Sequence, residues 1–230
     1  MRALARGLEA VVFDLDGVII NSEPLMRLAF DATYRGAGLP GAPPIESFLE
    51  HMGESFPRIM DRLGLPTSLW EPYKRFCRAR LDLVALFPGA PPVLEMLTRQ
   101  GLKLGILTGK DRARTLETLE HFGVGGYFET VVASDELRQP KPHPEGILRA
   151  LDQLGSSAAR AAMVGDSVSD IHCAQRAGVV AIGVSWGIKP ARLQAFCRPD
   201  HLVHSWGALL DLIVDMQRPL AAAESPDVRP

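Results

Sequence analysis

With 230 residues, 47% of them hydrophobic and 23% charged, the chain has the composition of a soluble globular protein with room for a large core. Its formal net charge of −2 supplies no basic face for nucleic acid, and there is no run of roughly 18 apolar residues to span a membrane. Cys77, Cys173 and Cys197 are too widely spaced for a metal or disulfide pattern, and Met1 to Glu9 is basic without a secretory apolar segment, so the expected setting is cytoplasmic.

In chain order, Ala10-Val11-Val12-Phe13 reads as a buried parallel strand. It runs into Asp14-Leu15-Asp16-Gly17. Alternation sends Asp14 and Asp16 toward one cavity and Leu15 toward the core, and Gly17 permits a sharp turn. Two adjacent carboxylates repel unless a cation or donor compensates. Magnesium suits such a site, because it keeps waters and shares phosphate oxygens. A plain surface turn is the alternative for the tetrapeptide alone. From Gly17 to Pro88-Gly89 the pattern is helical only, with helices predicted over 22–35, 45–52, 56–63 and 68–83.

A helix over 91–100 turns Val93, Leu94 and Leu97 inward. The strand Leu104-Gly105-Ile106-Leu107 then leads to Thr108-Gly109-Lys110 and a helix over 112–122 lined by Leu116, Leu119 and Phe122. A hydroxyl and free N–H groups at a helix start make a phosphate cradle, although Thr-Gly is also an ordinary strand-to-helix link. Val131-Val132-Ala133 reads as a strand. In Gln139-Pro140-Lys141-Pro142-His143-Pro144 the alternating prolines stiffen the segment and aim Lys141, the alternative being a solvated linker. A helix over 144–154 carries Ile147, Leu148 and Leu151. Ala161-Ala162-Met163-Val164 precedes Gly165-Asp166-Ser167, and a spacing of four stacks Asp166 and Asp170 on one helix face. Asp166 or Ser167 also suits an N-cap, and Cys173 reads as a buried helix residue. A strand over 179–184 follows, and 221–230 reads as a frayed tail.

Strands alternating with helices predict an α/β fold with a parallel sheet and right-handed crossovers. Its active site belongs at the carboxyl ends of the strands, where the acids, the hydroxyl and the lysine fall. That set of groups suggests magnesium-assisted phosphoryl chemistry.

Phe-Asp-Leu-Asp-Gly-Val, Leu-Thr-Gly-Lys, Lys-Pro-His-Pro and Val-Gly-Asp-Ser-Val-Ser-Asp resemble the four signature motifs of the haloacid dehalogenase superfamily, over residues 9 to about 215. The resemblance implies a Rossmann-like core at 1–17 and 87–220, with an inserted α-helical cap at 18–86 like that of the phosphoglycolate phosphatase and phosphoglucomutase branch. By the same resemblance Asp14 is the nucleophile and Asp16 the general acid/base. Thr108, Gly109 and Lys141 hold the phosphoryl group. Asp14, Asp166 and the carbonyl oxygen of Asp16 hold magnesium, and Asp170 orients metal waters or Lys141. The implied partner is a small phosphate monoester, hydrolysed by a monomer or homodimer.

A phosphomutase is the rival reading. Its branch carries an Arg-Gly-Val-Ser-Arg-like loop, whereas His51-Met52-Gly53-Glu54-Ser55 has no arginine pair, which favours a phosphatase. Asp16 argues against dehalogenase chemistry, and the intact motifs argue against a non-catalytic scaffold. Asn21 departs from the aspartate common in relatives, beside the cap hinge. The polar groups for substrate recognition are expected in the cap, at His51, Glu54 and Arg58, with a solvated Arg58 as the alternative. The start of the chain resembles phosphoglycolate phosphatase. Residues 52–63 resemble phosphatases associated with amino-hydroxybenzoate biosynthesis, which would imply a sugar or aminosugar phosphate.

Overall fold

The computed structural model describes residues 7–188, 193 and 195–218. The expected tail at 221–230 lies outside the described residues. Strand β1 (Ala10–Phe13) is fully buried because it has neighbours on both edges and both faces. Val11 and Phe13 pack into one apolar cluster, Ala10 and Val12 into the other, as the two-residue period of a strand requires.

Around β1 stand β4 (Lys103–Leu107), β5 (Thr130–Val132), β6 (Ala161–Gly165), β7 (Val180–Val184) and β8 (His201–Val203). They form one sheet in the order β5-β4-β1-β6-β7-β8, and every pairing is parallel. Val12 lies opposite Gly105 on one side and Met163 on the other. Chain order reverses across β1, so the crevice of this doubly wound α/β sheet opens at the carboxyl ends of β1, β4 and β6. Helices α5 (Ala90–Arg99) and α9 (Trp206–Gln217) pack together, with Leu94, Leu97 and Ile213 in the cluster of Phe13. Helices α7 (Glu145–Gln153) and α8 (Val168–Ala177) pair within the other cluster, which takes Ile147, Leu151 and the buried Cys173.

Helix α6 (Arg112–His121) differs from expectation in the face it buries. Leu116 is 44% exposed, whereas Thr115 and Thr118 are buried beside Leu119. The threonine hydroxyls reach that interior at low cost, because each donates to a carbonyl one turn back, Asp111 O at 2.8 Å and Arg114 O at 2.7 Å. Leu148 is likewise exposed, at 47%, since it lies a quarter turn from the Ile147 and Leu151 stripe.

Between β1 and α5 the chain forms α1 (Glu23–Gly36), α2 (Ile45–Glu50), α3 (Phe56–Leu63) and α4 (Trp70–Ala79). This insertion is not purely helical. β2 (Ile20–Asn21) pairs antiparallel with β3 (Ala85–Leu86) as a two-stranded ribbon where the chain leaves and re-enters the α/β body. Two-residue strands are too short to show alternation, so the sequence pattern passes over them. The expected helix over 68–83 resolves into α4 flanked by single 3-10 turns, because Arg80 leaves helical geometry at φ −132°. An aromatic cluster holds the insertion together: Phe30 stacks on Phe48 at 4.2 Å and Phe56 meets Tyr73 at 4.6 Å between ring centres. Among the described residues no helix is long and apolar enough to cross a membrane.

Candidate active site

Asp14 continues β1 by one residue, its N–H donating to Val164 O at 2.9 Å. Its Oδ1 accepts from the N–H of Leu15 at 2.7 Å and lies 3.0 Å from Lys141 Nζ. Lys141 is 1% exposed. Its ammonium also donates to Asp170 Oδ1 at 2.7 Å and Leu107 O at 3.2 Å, which uses all three of its protons. The stiff proline segment thus delivers Lys141 to the junction of β1, β4 and α8. Burial alone would lower the lysine pKa; the Asp14 and Asp170 carboxylates outweigh it, raise the pKa and keep the side chain protonated.

Asp166 does not lie on a helix with Asp170. Helix α8 starts at Val168 with Ser167 as its N-cap, and Asp166 sits in the preceding turn with Oδ2 accepting from Ile188 N–H at 2.7 Å. Ser167 and Asp170 form a capping box, in which Asp170 Oδ2 accepts from Ser167 N–H at 3.0 Å and Ser167 Oγ at 2.6 Å. The turn, rather than helical spacing, brings the acids together. Gly17, at φ +78°, completes the enclosure, since a Cβ there would collide with the Asp166 carboxylate.

Carboxylate oxygens of Asp14, Asp166 and Asp170 lie within 4.8 Å of one another. Asp14 Oδ2 is buried and has no hydrogen-bond partner. Three acids facing one ammonium leave excess negative charge. Burial, with Asp170, Asp166 and Asp16 nearby, holds Asp14 well above the usual carboxylate range despite Lys141. Burial and Asp170 push Asp166 up to about 7. A buried orphan oxygen within an over-charged acid cluster fits a hard divalent cation.

The Asp16 carboxyl lies apart from that cluster. Its Oδ1 accepts from Ser22 Oγ at 2.5 Å and Lys110 Nζ at 2.8 Å. Burial would raise its pKa; Lys110, Ser22 and Arg114 outweigh that and hold it below the ordinary value. Thr108 is 2% exposed at the end of β4, its Oγ1 accepting from Lys110 N–H at 3.1 Å. The helix start itself is capped by Asp111, which accepts from Arg114 N–H at 3.1 Å, so the Thr108-Gly109 loop stands ahead of α6 rather than at its terminus.

The insertion closes over this floor. A Cβ on Gly109 would stand 2.5 Å from Glu54 O, so only glycine lets the two segments approach this closely. Arg114 pairs with Asp111 at 2.5 Å and stacks over the Trp70 ring at 4.7 Å, and Arg78 reaches Glu117 at 3.0 Å, both joining α4 to α6. Between floor and insertion lies a cavity of about 50 Å³, reached by Asp14, Asp16, Gly109 and Lys110 from below and by Phe48 and Glu54 from above.

Glu54 is 8% exposed, and its carboxylate is held by Arg58 at 2.9 Å, Arg62 at 3.0 Å and His51 at 3.8 Å. His51 and Arg58 do not line the cavity; both stand behind Glu54. Arg58 and Arg62 are half-exposed and share one partner, so Arg58→Ala is expected to cost less than about 1 kcal/mol in chemical denaturation. Sequence reasoning gave no role to Ser22, Lys110 or Arg114. Lys110 had a readable signal, since it follows the Thr108-Gly109 pair directly; Ser22 and Arg114 acquire their places only through the ribbon and the α4 contact.

A family model described as haloacid dehalogenase-like hydrolase matches residues 11–184. The chain belongs to that family. It is 34% identical over 209 residues to the pyrophosphatase PpaX of Bacillus pumilus, covering 90% of this chain and 96% of the relative. It is 31% identical over 232 residues to the phosphoglycolate phosphatase of Neisseria gonorrhoeae, covering 94% and 97%. Among solved structures, a hydrolase from Pseudomonas syringae superposes with TM-score 0.81 at 20% identity over 91% of this chain and 99% of that one, a likeness of fold.

Proposed function

We propose that this hydrolase is a magnesium-dependent phosphatase that cleaves a small phosphorylated metabolite through an aspartyl phosphate on Asp14. One observation carries the reading: the buried Asp14 presents an unpartnered Oδ2 beside the Lys141 ammonium, in the lining of the cavity between floor and insertion. The names of the relatives, both phosphate-releasing enzymes, support it.

Asp14, Asp166 and the carbonyl oxygen of Asp16 would hold magnesium, which would supply the charge that lets a phosphate dianion approach a carboxylate. Asp14 attacks phosphorus and becomes the acyl phosphate. Lys141 and the Thr108-Gly109 loop steady the charge on the transferring group. Asp16 gives its proton to the leaving oxygen, then as carboxylate takes one from the water that releases phosphate. Lys110 favours the ionised Asp16 that this second step needs; a phosphate dianion arriving nearby opposes that bias and helps Asp16 to be protonated for the first. The helical insertion acts as a cap that excludes water and meets the leaving group.

A phosphomutase would have to readmit a bisphosphate to the same cavity, and segment 51–55 offers no arginine pair for its second phosphate. The test is hydrolysis of an aryl phosphate with added magnesium. Activity should depend on the metal and vanish with excess chelator; activity undiminished by chelator would sink the metal assignment.

A further inference from the structure

The wall opposite the catalytic acids is hydrocarbon. Leu25, Met26, Phe48, Phe56 and Ile59 line the cavity from the insertion, and none is more than 5% exposed. Three cations also reach it, and each already has a carboxylate partner: Lys110 with Asp16 at 2.8 Å, Arg114 with Asp111 at 2.5 Å, Arg78 with Glu117 at 3.0 Å. The charged group that the α2–α3 turn contributes is an acid, Glu54, whose own cations Arg58 and Arg62 approach from behind. A leaving group bearing a carboxylate or a second phosphate would therefore be stripped of water against apolar side chains, with no uncommitted cation to receive it among the described lining residues. The cavity is small, about 50 Å³, which favours a compact leaving group.

We infer that the preferred substrate is the phosphate monoester of a compact, uncharged alcohol with an apolar body, and that phosphoglycolate and pyrophosphate are poor substrates. The inference rests on the phosphatase reading and narrows it. Specificity arises on this view from the buried pairing of Lys110 and Arg114 as much as from the wall itself. An anionic leaving group could take Lys110 or Arg114 only by breaking a buried pair and stranding Asp16 or Asp111, whereas Arg78 and Glu117 meet at the half-exposed rim, where a pair holds weakly.

The wild-type enzyme with magnesium is assayed for phosphate release from isobutyl phosphate, phosphoglycolate and pyrophosphate, with p-nitrophenyl phosphate as a reporter of the catalytic floor. Isobutyl phosphate should exceed both anionic compounds in kcat/KM by roughly tenfold or more, the scale on which an apolar pocket discriminates. Met52→Lys adds a cation at a partly buried lining position; it should lower the isobutyl-to-phosphoglycolate ratio by roughly tenfold or more. Phosphoglycolate or pyrophosphate matching isobutyl phosphate, while the aryl ester is hydrolysed, would overturn the inference and leave the phosphatase reading standing. Hydrolysis of none of the four would remove the phosphatase reading and this inference with it. A folded Met52→Lys protein with an unchanged ratio would also overturn it; should that variant not fold, the wild-type comparison decides.

Discussion

Asp14→Asn should reduce aryl phosphate turnover by at least about 10⁴-fold, the scale seen when a covalent nucleophile is removed. It should also abolish acid-stable labelling of the protein by a phosphoryl donor. The amide keeps the shape and can keep the Leu15 N–H contact, so the loss is chemical. Stability gives the control. Because burial and three neighbouring acids raise the Asp14 pKa in the folded protein, its ionised form opposes folding increasingly as pH climbs above the unfolded value. Asp14→Asn removes that term, and in metal-free buffer at neutral pH it should unfold no more readily than wild type. Asp16→Asn should behave differently. A phenolate needs little protonation to depart, so phosphoenzyme should still form from an aryl ester and then persist, because Asp16 is missing as base. Equal and complete loss of phosphoenzyme in both variants would undo the division of labour between the two acids.

What could be read from the residues alone follows the range of the interactions. Val11, Val12 and Phe13 announce a buried strand because a central parallel strand needs apolar groups on both faces. The acids, Thr108 and Lys141 were readable because each follows a strand or sits in a stiff proline frame, so its direction is set within a few residues. The ribbon of Ile20–Asn21 and Ala85–Leu86 was hidden, since its partners lie some sixty residues apart and neither is long enough to alternate. Asp166 and Asp170 come together for a reason that i,i+4 spacing does not carry: Ser167 starts the helix between them and leaves Asp166 in the preceding turn. Arg58 was plausible on the inserted helices, but which way it points depends on Glu54, a buried acid that draws His51, Arg58 and Arg62 to itself. Nothing in residues 51–62 alone ranks Glu54 inward and Arg58 outward, because that depends on Gly109 meeting the Glu54 carbonyl across the cavity.

Lys141→Met should be the most destabilising single change at the site, and its cost should depend on pH. The methionine matches the stem of the lysine but leaves Asp14 and Asp170 facing each other, both 1% exposed or less, without the ammonium that spans them at 3.0 and 2.7 Å. Removing one partner of a buried ion pair costs about 3–5 kcal/mol. With the ammonium gone, the Asp14 carboxyl loses the one neighbour that lowers its pKa, so its folded-state value rises further above that of the unfolded chain and the folded protein holds a proton that the unfolded chain releases. Stability is then lost as pH rises through the unfolded carboxylate range toward the elevated folded value. Denaturant unfolding near pH 4 should show Lys141→Met close to wild type, and at pH 8 the full deficit. A divalent cation held by Asp14 and Asp166 would recover part of that deficit at pH 8 and little at pH 4, where the carboxyls hold protons instead. Catalysis should not return with stability, since the phosphoryl oxygens would still lack the Lys141 charge. A deficit equal at both pH values would mean that lost packing, rather than stranded carboxylates, explains the effect, and would remove Lys141 from the electrostatic centre of the site.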